Sequence, residues 1–252
     1  MEQANQQQRL TRKEKRIQRQ QNQKENKTYQ EKLNFNLRPI EPLTNNQKIT
    51  FEAYNNNKHL ILHGIAGTGK SFVSLYLALN QVLSESSPYK KIVIIRSVVP
   101  TREMGFLPGN TKEKTKVYEA PYYAIFSELF GRGDAYEYFK SKNIVEFIST
   151  SFIRGITLND CIVIVDEIAN CTGHELDSVI TRIGKNCRII FCGDFRQSDF
   201  TKESDKSGLH NFISIVKNMK HLEFIDFKKE DIVRSSFVKS YIIEKDRQNV
   251  VF

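Results

Sequence analysis

Three short stretches of this 252-residue chain carry residue types suited to gripping and cleaving a polyphosphate. The first, Gly64-Ile65-Ala66-Gly67-Thr68-Gly69-Lys70-Ser71, fits the spacing G-x-x-x-x-G-K-[ST]. Its glycines let the backbone curl until N–H groups point at phosphate oxygens, and a following helix adds its positive end. Lys70 is then placed to reach the β and γ phosphates, and the Ser71 hydroxyl to ligate Mg²⁺. The second stretch, CIVIVDEIAN, ends an apolar run in Asp166-Glu167. Asp166 can hold a metal's water shell at the strand's carboxyl edge, and Glu167 can polarise an attacking water. That pair favours hydrolysis over phosphoryl transfer to a metabolite. The third, CRIIFCGDFRQ, ends in Gly193-Asp194, with Gln197 just beyond as a candidate sensor of the γ phosphate. Taken alone, this last stretch also fits an ordinary polar turn.

Groups so far apart in sequence need a scaffold that brings strand ends together. Short Val/Ile-rich runs supply the strands: HLILH (59–63), KIVII (91–95), IVEFI (144–148), CIVIV (161–165), CRIIFC (187–192) and HLEFIDF (221–227). Near-continuous apolar runs of this kind belong to parallel strands covered on both faces. Amphipathic patterns predict helices from Lys70 to about Leu83 and over 117–130, 173–183, 207–218 and 235–245. Thr44 to Gln47 reads as a cap opening a short helix that runs to about Tyr54. The fold class is therefore α/β, a three-layer domain with a mostly parallel sheet.

Composition narrows the function classes. No apolar run approaches the roughly 18 residues of a bilayer span, and the N-terminus lacks the apolar segment of a secretory signal, so a cytoplasmic location and no membrane partner are expected. Cys161, Cys171, Cys187 and Cys192 form no CxxC pair and read as reduced core residues. The net charge is +9, and residues 1–32 hold nine Lys or Arg against four Glu, so more than half of the basic excess lies there. Rich in glutamine and poor in hydrophobes, residues 1–32 read as a low-complexity, disordered basic tail, with the folded domain over 33–252. Such an arm attracts phosphate backbones in a salt-dependent way. A merely solubilising tail has the same composition.

With GIAGTGKS, DEIAN and GDFRQ in this order and at these spacings, the chain resembles the PhoH-like family of P-loop ATPases, related to the RecA-like core of superfamily 1 helicases. RSVVPTREMGFLPG (96–109), SFIRGITL (151–158), TRIG (181–184) and DIVRSSFV (231–238) carry the likeness over about residues 40–245, and the compact size is similar to bacteriophage versions. The resemblance implies ATP and Mg²⁺ as cofactors and RNA or single-stranded DNA as partner. It implies that Gln47 reads adenine, and that the loop holding Arg96, Arg102 and Phe106 to Gly109 meets the polynucleotide. It also implies that Arg234 stabilises charge on the transferred phosphoryl group, with Arg182 and Arg154 as rivals. Because one RecA-like domain cannot deliver a second domain's arginine, the family pattern points to a homo-oligomer, hexameric, with Arg234 acting across a subunit boundary. Two positions depart from the family: Ala169 stands where a glutamine couples nucleotide state to polynucleotide, and Ile156 stands where an arginine is usual. An ATP-dependent binding module that recruits a nuclease or other partner is the alternative to a motor.

Overall fold

Six strands form one sheet in the order β3-β2-β4-β5-β1-β6, every neighbouring pair parallel. They are β1 (His59–Gly64), β2 (Lys91–Arg96), β3 (Val145–Ser149), β4 (Cys161–Asp166), β5 (Cys187–Gly193) and β6 (Leu222–Phe227). The computed structural model describes residues 35–98, 111–195 and 203–248. Contacts divide the chain after Asn36, and the sheet and its helices lie in the unit from Leu37 onward. The basic tail, Arg102, the turn from Phe106 to Gly109, and Gln197 lie outside the described residues.

Parallel neighbours need crossovers, and helices supply them. They are α1 (Asn45–Asn55), α2 (Lys70–Val82), α3 (Thr111–Phe130), α4 (Ala135–Ser141), α5 (Gly173–Ile180), α6 (Glu203–Lys217) and α7 (Ser236–Arg247). One face of the sheet presents Ile61, Val93, Val163, Val165 and Phe191 to Leu176 and Val179 of α5 and to Leu209, Phe212 and Val216 of α6. Alternation sends Leu60, Leu62, Ile94 and Ile164, all fully buried, to the opposite face. There α2, α3 and α4 cover them, the last two locked by aromatic contacts such as Phe126–Tyr136 at 5.2 Å and Phe130–Phe139 at 4.8 Å. The expected three-layer α/β architecture is what forms, with all six strands parallel. All four cysteines are free thiols.

Three features go beyond the sequence expectation. Helix α3 begins at Thr111 rather than 117, because its first turns are polar and show no apolar stripe. Helix α4, of seven residues, buries Ala135, Tyr136 and Phe139, too few positions to declare a period. The third feature is inside a strand. Arg188 of β5 is 3% exposed. It donates to Tyr54 O and Gln81 Oε1 at 3.1 and 3.0 Å, and also to Asn57 Oδ1. These partners are neutral, and two of them lie at the carboxyl ends of α1 and α2, whose negative dipole ends offset the buried charge. The Arg188 guanidinium also stacks 4.2 Å from the Tyr54 ring centroid.

Candidate nucleotide site

The sheet order decides which strand ends can meet. β5 lies between β1 and β4, so the turn after β1 and the acids after β4 flank the Gly193-Asp194 end of β5 at one carboxyl edge. Gly64, Gly67 and Gly69 all hold positive φ, at 125°, 79° and 82°. A side chain there would also crowd a neighbour. A Cβ on Gly64 would lie 1.9 Å from Phe227 O of β6, and one on Gly69 would lie 3.1 Å from Gln47 Nε2. The turn thus curls over the amino end of α2, which starts at Lys70.

Inside the curl Lys70 Nζ donates to Gly64 O at 2.7 Å, Ile65 O at 2.8 Å and Thr68 Oγ1 at 3.2 Å. Burial lowers its pKa, while Cys192, Asp194, Glu167 and Asp166 pull the other way. Ser71 Oγ donates to Asp166 Oδ1 at 2.7 Å, which joins the loop to the acidic strand directly. Asp166 is 5% exposed and takes a second hydroxyl, Tyr122 OH, on Oδ2 at 2.9 Å. Glu167, the next residue, is exposed and sits at φ 53°, ψ 48°. A left-handed conformation is uncommon for a residue with a long side chain, and such strain gathers at functional sites. It turns the Glu167 backbone out of the strand, and Glu167 lines the same cleft as Lys70. Beside them Gly193 has no room for a Cβ, which would lie 2.7 Å from Ile168 Cγ1.

Gln47 and Arg234 reach the loop from outside the central strands. Thr44 caps α1 through a 3.3 Å bond from Gln47 N. The Gln47 carboxamide accepts from Leu43 N at 2.8 Å and donates to Thr68 O at 3.0 Å, so it also braces the phosphate loop against the helix cap. Asn46 Nδ2 donates to Asp231 Oδ2 at 2.7 Å, anchoring the segment after β6. Burial opposes ionisation of Asp231, but the Lys228 N–H and the Thr44 and Asn46 side chains outweigh it and lower its pKa. Two residues on, Val233 N donates to Gly67 O at 3.0 Å, and a Cβ on Gly67 would lie 3.0 Å from Arg234 Cγ.

Arg234 lines the cleft of its own chain, in the segment that the Asn46–Asp231 bond anchors. Its rivals lie elsewhere. Arg182 sits in the turn that leads to the amino end of β5, with its carbonyl accepting from Leu158 N, and Arg154 is exposed after the turn that follows β3. The cleft encloses about 990 Å³ and is lined by Gln47, Lys70, Ser71, Asp166, Glu167 and Arg234, among others. Tyr122, which also lines it, was not legible as a site residue. Its spacing to Phe126 and Leu129 marks only a buried helix face.

Ser71 and Asp166 offer hard oxygen donors side by side, which suits Mg²⁺. That ion takes one or two protein oxygens and completes its shell with water and phosphate. Among the described residues no group of three or more His, Cys, Asp or Glu forms a protein-only metal cage. No helix among them is long and apolar enough to cross a membrane.

A phosphate loop, an acidic strand one strand removed from it and an all-parallel sheet together define a P-loop nucleotide-binding protein of the RecA-like class. Residues 39–244 match the family described as PhoH-like protein, and the chain belongs to it. A PhoH-like protein of Bacillus subtilis (strain 168) is 32% identical over 224 residues, 88% of this chain and 69% of that one. Protein PhoH of Escherichia coli (strain K12) is 31% identical over 69% of this chain and 49% of its own length. The PhoH-like protein of Mycobacterium leprae (strain TN) is 28% identical over 81% and 57% respectively. The chain thus spans from 49% to 69% of the length of these relatives. Among solved structures, the Hef helicase domain of Pyrococcus furiosus aligns with a TM-score of 0.44 at 14% identity, covering 74% of this chain and 39% of that one. The large terminase of a thermophilic bacteriophage in complex with ADP gives 0.43 at 11%, covering 79% and 49%. Likenesses this distant say nothing about substrate.

Proposed function

We propose that this chain binds Mg-ATP and hydrolyses it, and that the cycle is coupled to RNA or single-stranded DNA. The observation that carries the proposal is the 2.7 Å contact of Ser71 with Asp166 beside Lys70, in a cleft large enough for a nucleotide. Lys70 exchanges its loop carbonyls for β and γ phosphate oxygens. Ser71 and Asp166 would hold Mg²⁺, which when bound would neutralise charge on those oxygens. Glu167 orients and deprotonates the attacking water. Gln47 and Arg234 close the cleft from the α1 and β6 sides, Gln47 toward the base and Arg234 toward the phosphates. Gln197 remains the candidate γ-phosphate sensor.

Support for a polynucleotide partner is the basic excess in residues 1–32 and Arg96 at the carboxyl end of β2, in register with Asp166. Steady-state phosphate release with and without RNA or single-stranded DNA tests it. No stimulation by either polymer removes the nucleic-acid half. A homo-oligomer, hexameric, is part of this proposal, and light scattering with Mg-ATP that shows only monomer removes that part. Ala169 favours a second reading, an ATP-dependent binding module without motor work. It lines the cleft with a methyl group and has no polar end to report nucleotide state. ATP-dependent capture of a partner, with hydrolysis indifferent to polymer, distinguishes the two.

A further inference from the structure

We propose that Tyr122 is a positioning residue of the metal site and the tether through which that site holds helix α3. The inference rests on Asp166 serving Mg²⁺, as proposed above. Asp166 divides its two oxygens between different elements: Oδ1 accepts from Ser71 of the phosphate loop, and Oδ2 accepts from Tyr122 of α3. Tyr122 is 1% exposed, and its ring is fixed between Tyr136 and Phe147, at centroid distances of 6.4 and 6.1 Å. Arg96, at the end of β2, bears on the same hydroxyl with its positive charge and lines the same cleft, while Tyr122, Asp166 and Ser71 form one chain of contacts. Arg96 is itself braced over the Tyr118 ring at 5.9 Å, one helical turn before Tyr122 on α3.

A buried tyrosine seeks some acceptor for its hydroxyl, and a carbonyl would serve. Here the acceptor is the carboxylate that meets the phosphate loop, 44 residues away. A carboxylate free to rotate presents its oxygens to a metal only part of the time. One held on both sides presents them always, which is how partners behind a ligand set metal affinity. Tyr122 therefore fixes the Asp166 rotamer that faces Ser71, and α3 feels any change at Asp166 through a single hydroxyl. Pro121 precedes it inside the helix and lacks an N–H to bond the Val117 carbonyl, so the ladder is already broken where the tether attaches.

Tyr122→Phe in the full chain removes one oxygen and keeps the ring. The experiment measures binding of a non-hydrolysable ATP analogue by calorimetry, without metal and across a Mg²⁺ titration. The expected result is a Mg²⁺ requirement raised about tenfold or more, with metal-free analogue affinity within about twofold of wild type, because Lys70 and the loop amides are untouched. Hydrogen exchange in α3 should respond to Mg-analogue in wild type and lose that response in the variant. An unchanged Mg²⁺ requirement, or an equal loss with and without metal, overturns the role. Should Tyr122→Phe fail to fold, Arg96→Gln removes the positive charge that bears on this hydroxyl and must raise the Mg²⁺ requirement in the same sense; no change there overturns it as well. Wild type that binds the analogue with no Mg²⁺ dependence brings down the nucleotide proposal and this one together, whereas a flat variant response beside a Mg²⁺-dependent wild type brings down only Tyr122.

Discussion

Gly64 and Gly67 belong to one phosphate loop, yet replacing each by alanine should damage different things. At Gly67, with φ 79°, an L residue costs about 1–2 kcal/mol for the left-handed conformation. Its new Cβ would meet Arg234 Cγ at 3.0 Å and Ile242 Cδ1 at 3.2 Å, both side-chain rather than main-chain atoms. Gly64 holds φ 125°, where the strain for a residue with a side chain is about 1–3 kcal/mol. Its Cβ would lie 1.9 Å from Phe227 O, a main-chain atom of the neighbouring strand. β6 must then draw away, losing the 3.3 Å bond from Ile65 N to Phe227 O, worth about 0.5–1.5 kcal/mol, and the last rung of the β1–β6 pairing. The totals are about 1.5–4.5 kcal/mol for Gly64→Ala and about 1–2 kcal/mol for Gly67→Ala. The chain has no tryptophan, so urea unfolding is best followed by far-ultraviolet circular dichroism. A Gly64→Ala variant as stable as Gly67→Ala refutes the claim that the first glycine of the loop is there for the strand beside it.

Arg188→Ala leaves Tyr54 O, Gln81 Oε1 and Asn57 Oδ1 without their donor, and should cost about 3 kcal/mol in urea unfolding, with nucleotide affinity changed only through stability. Lys70 must be protonated to bind phosphate, and burial has lowered its pKa. Mg-ATP affinity should therefore fall as pH rises through that lowered value, below the 10.5 of a free lysine, with proton uptake on binding in calorimetry. Constant affinity up to about pH 10 contradicts this. Lys70→Ala should abolish phosphate release. Glu167→Gln keeps the side chain's size and removes its basicity, so it should retain ATP on the protein while turnover falls about 10²-fold or more, read by filter binding and phosphate release. Unimpaired turnover excludes Glu167 as the base.

The strands were legible because the central ones, β2, β4 and β5, are apolar runs buried on both faces, and the loop because its glycine spacing is distinctive in the sequence. Which strands neighbour one another was not. That β5 separates β1 from β4 depends on crossovers that no local pattern records. Arg188 interrupts an apolar run, and its partners at positions 54, 57 and 81 are polar groups of ordinary appearance. Tyr122 stands among Tyr118, Tyr123 and Phe126, and periodicity assigns its ring to the interior while saying nothing of its hydroxyl. The Asn46–Asp231 bond that anchors the segment holding Arg234 joins residues 185 positions apart, beyond any local pattern.

Lys70 rests on the loop's own oxygens rather than in water. Its dehydration is thus settled during folding, and a ligand gains only the difference between an anionic acceptor and the neutral ones it displaces. Halides and other weakly basic anions gain little from that swap, while a triphosphate that answers several loop amides at once gains a great deal. The loop is in this sense a stoppered bottle, opened by multivalent anions and left shut by the salt of its surroundings.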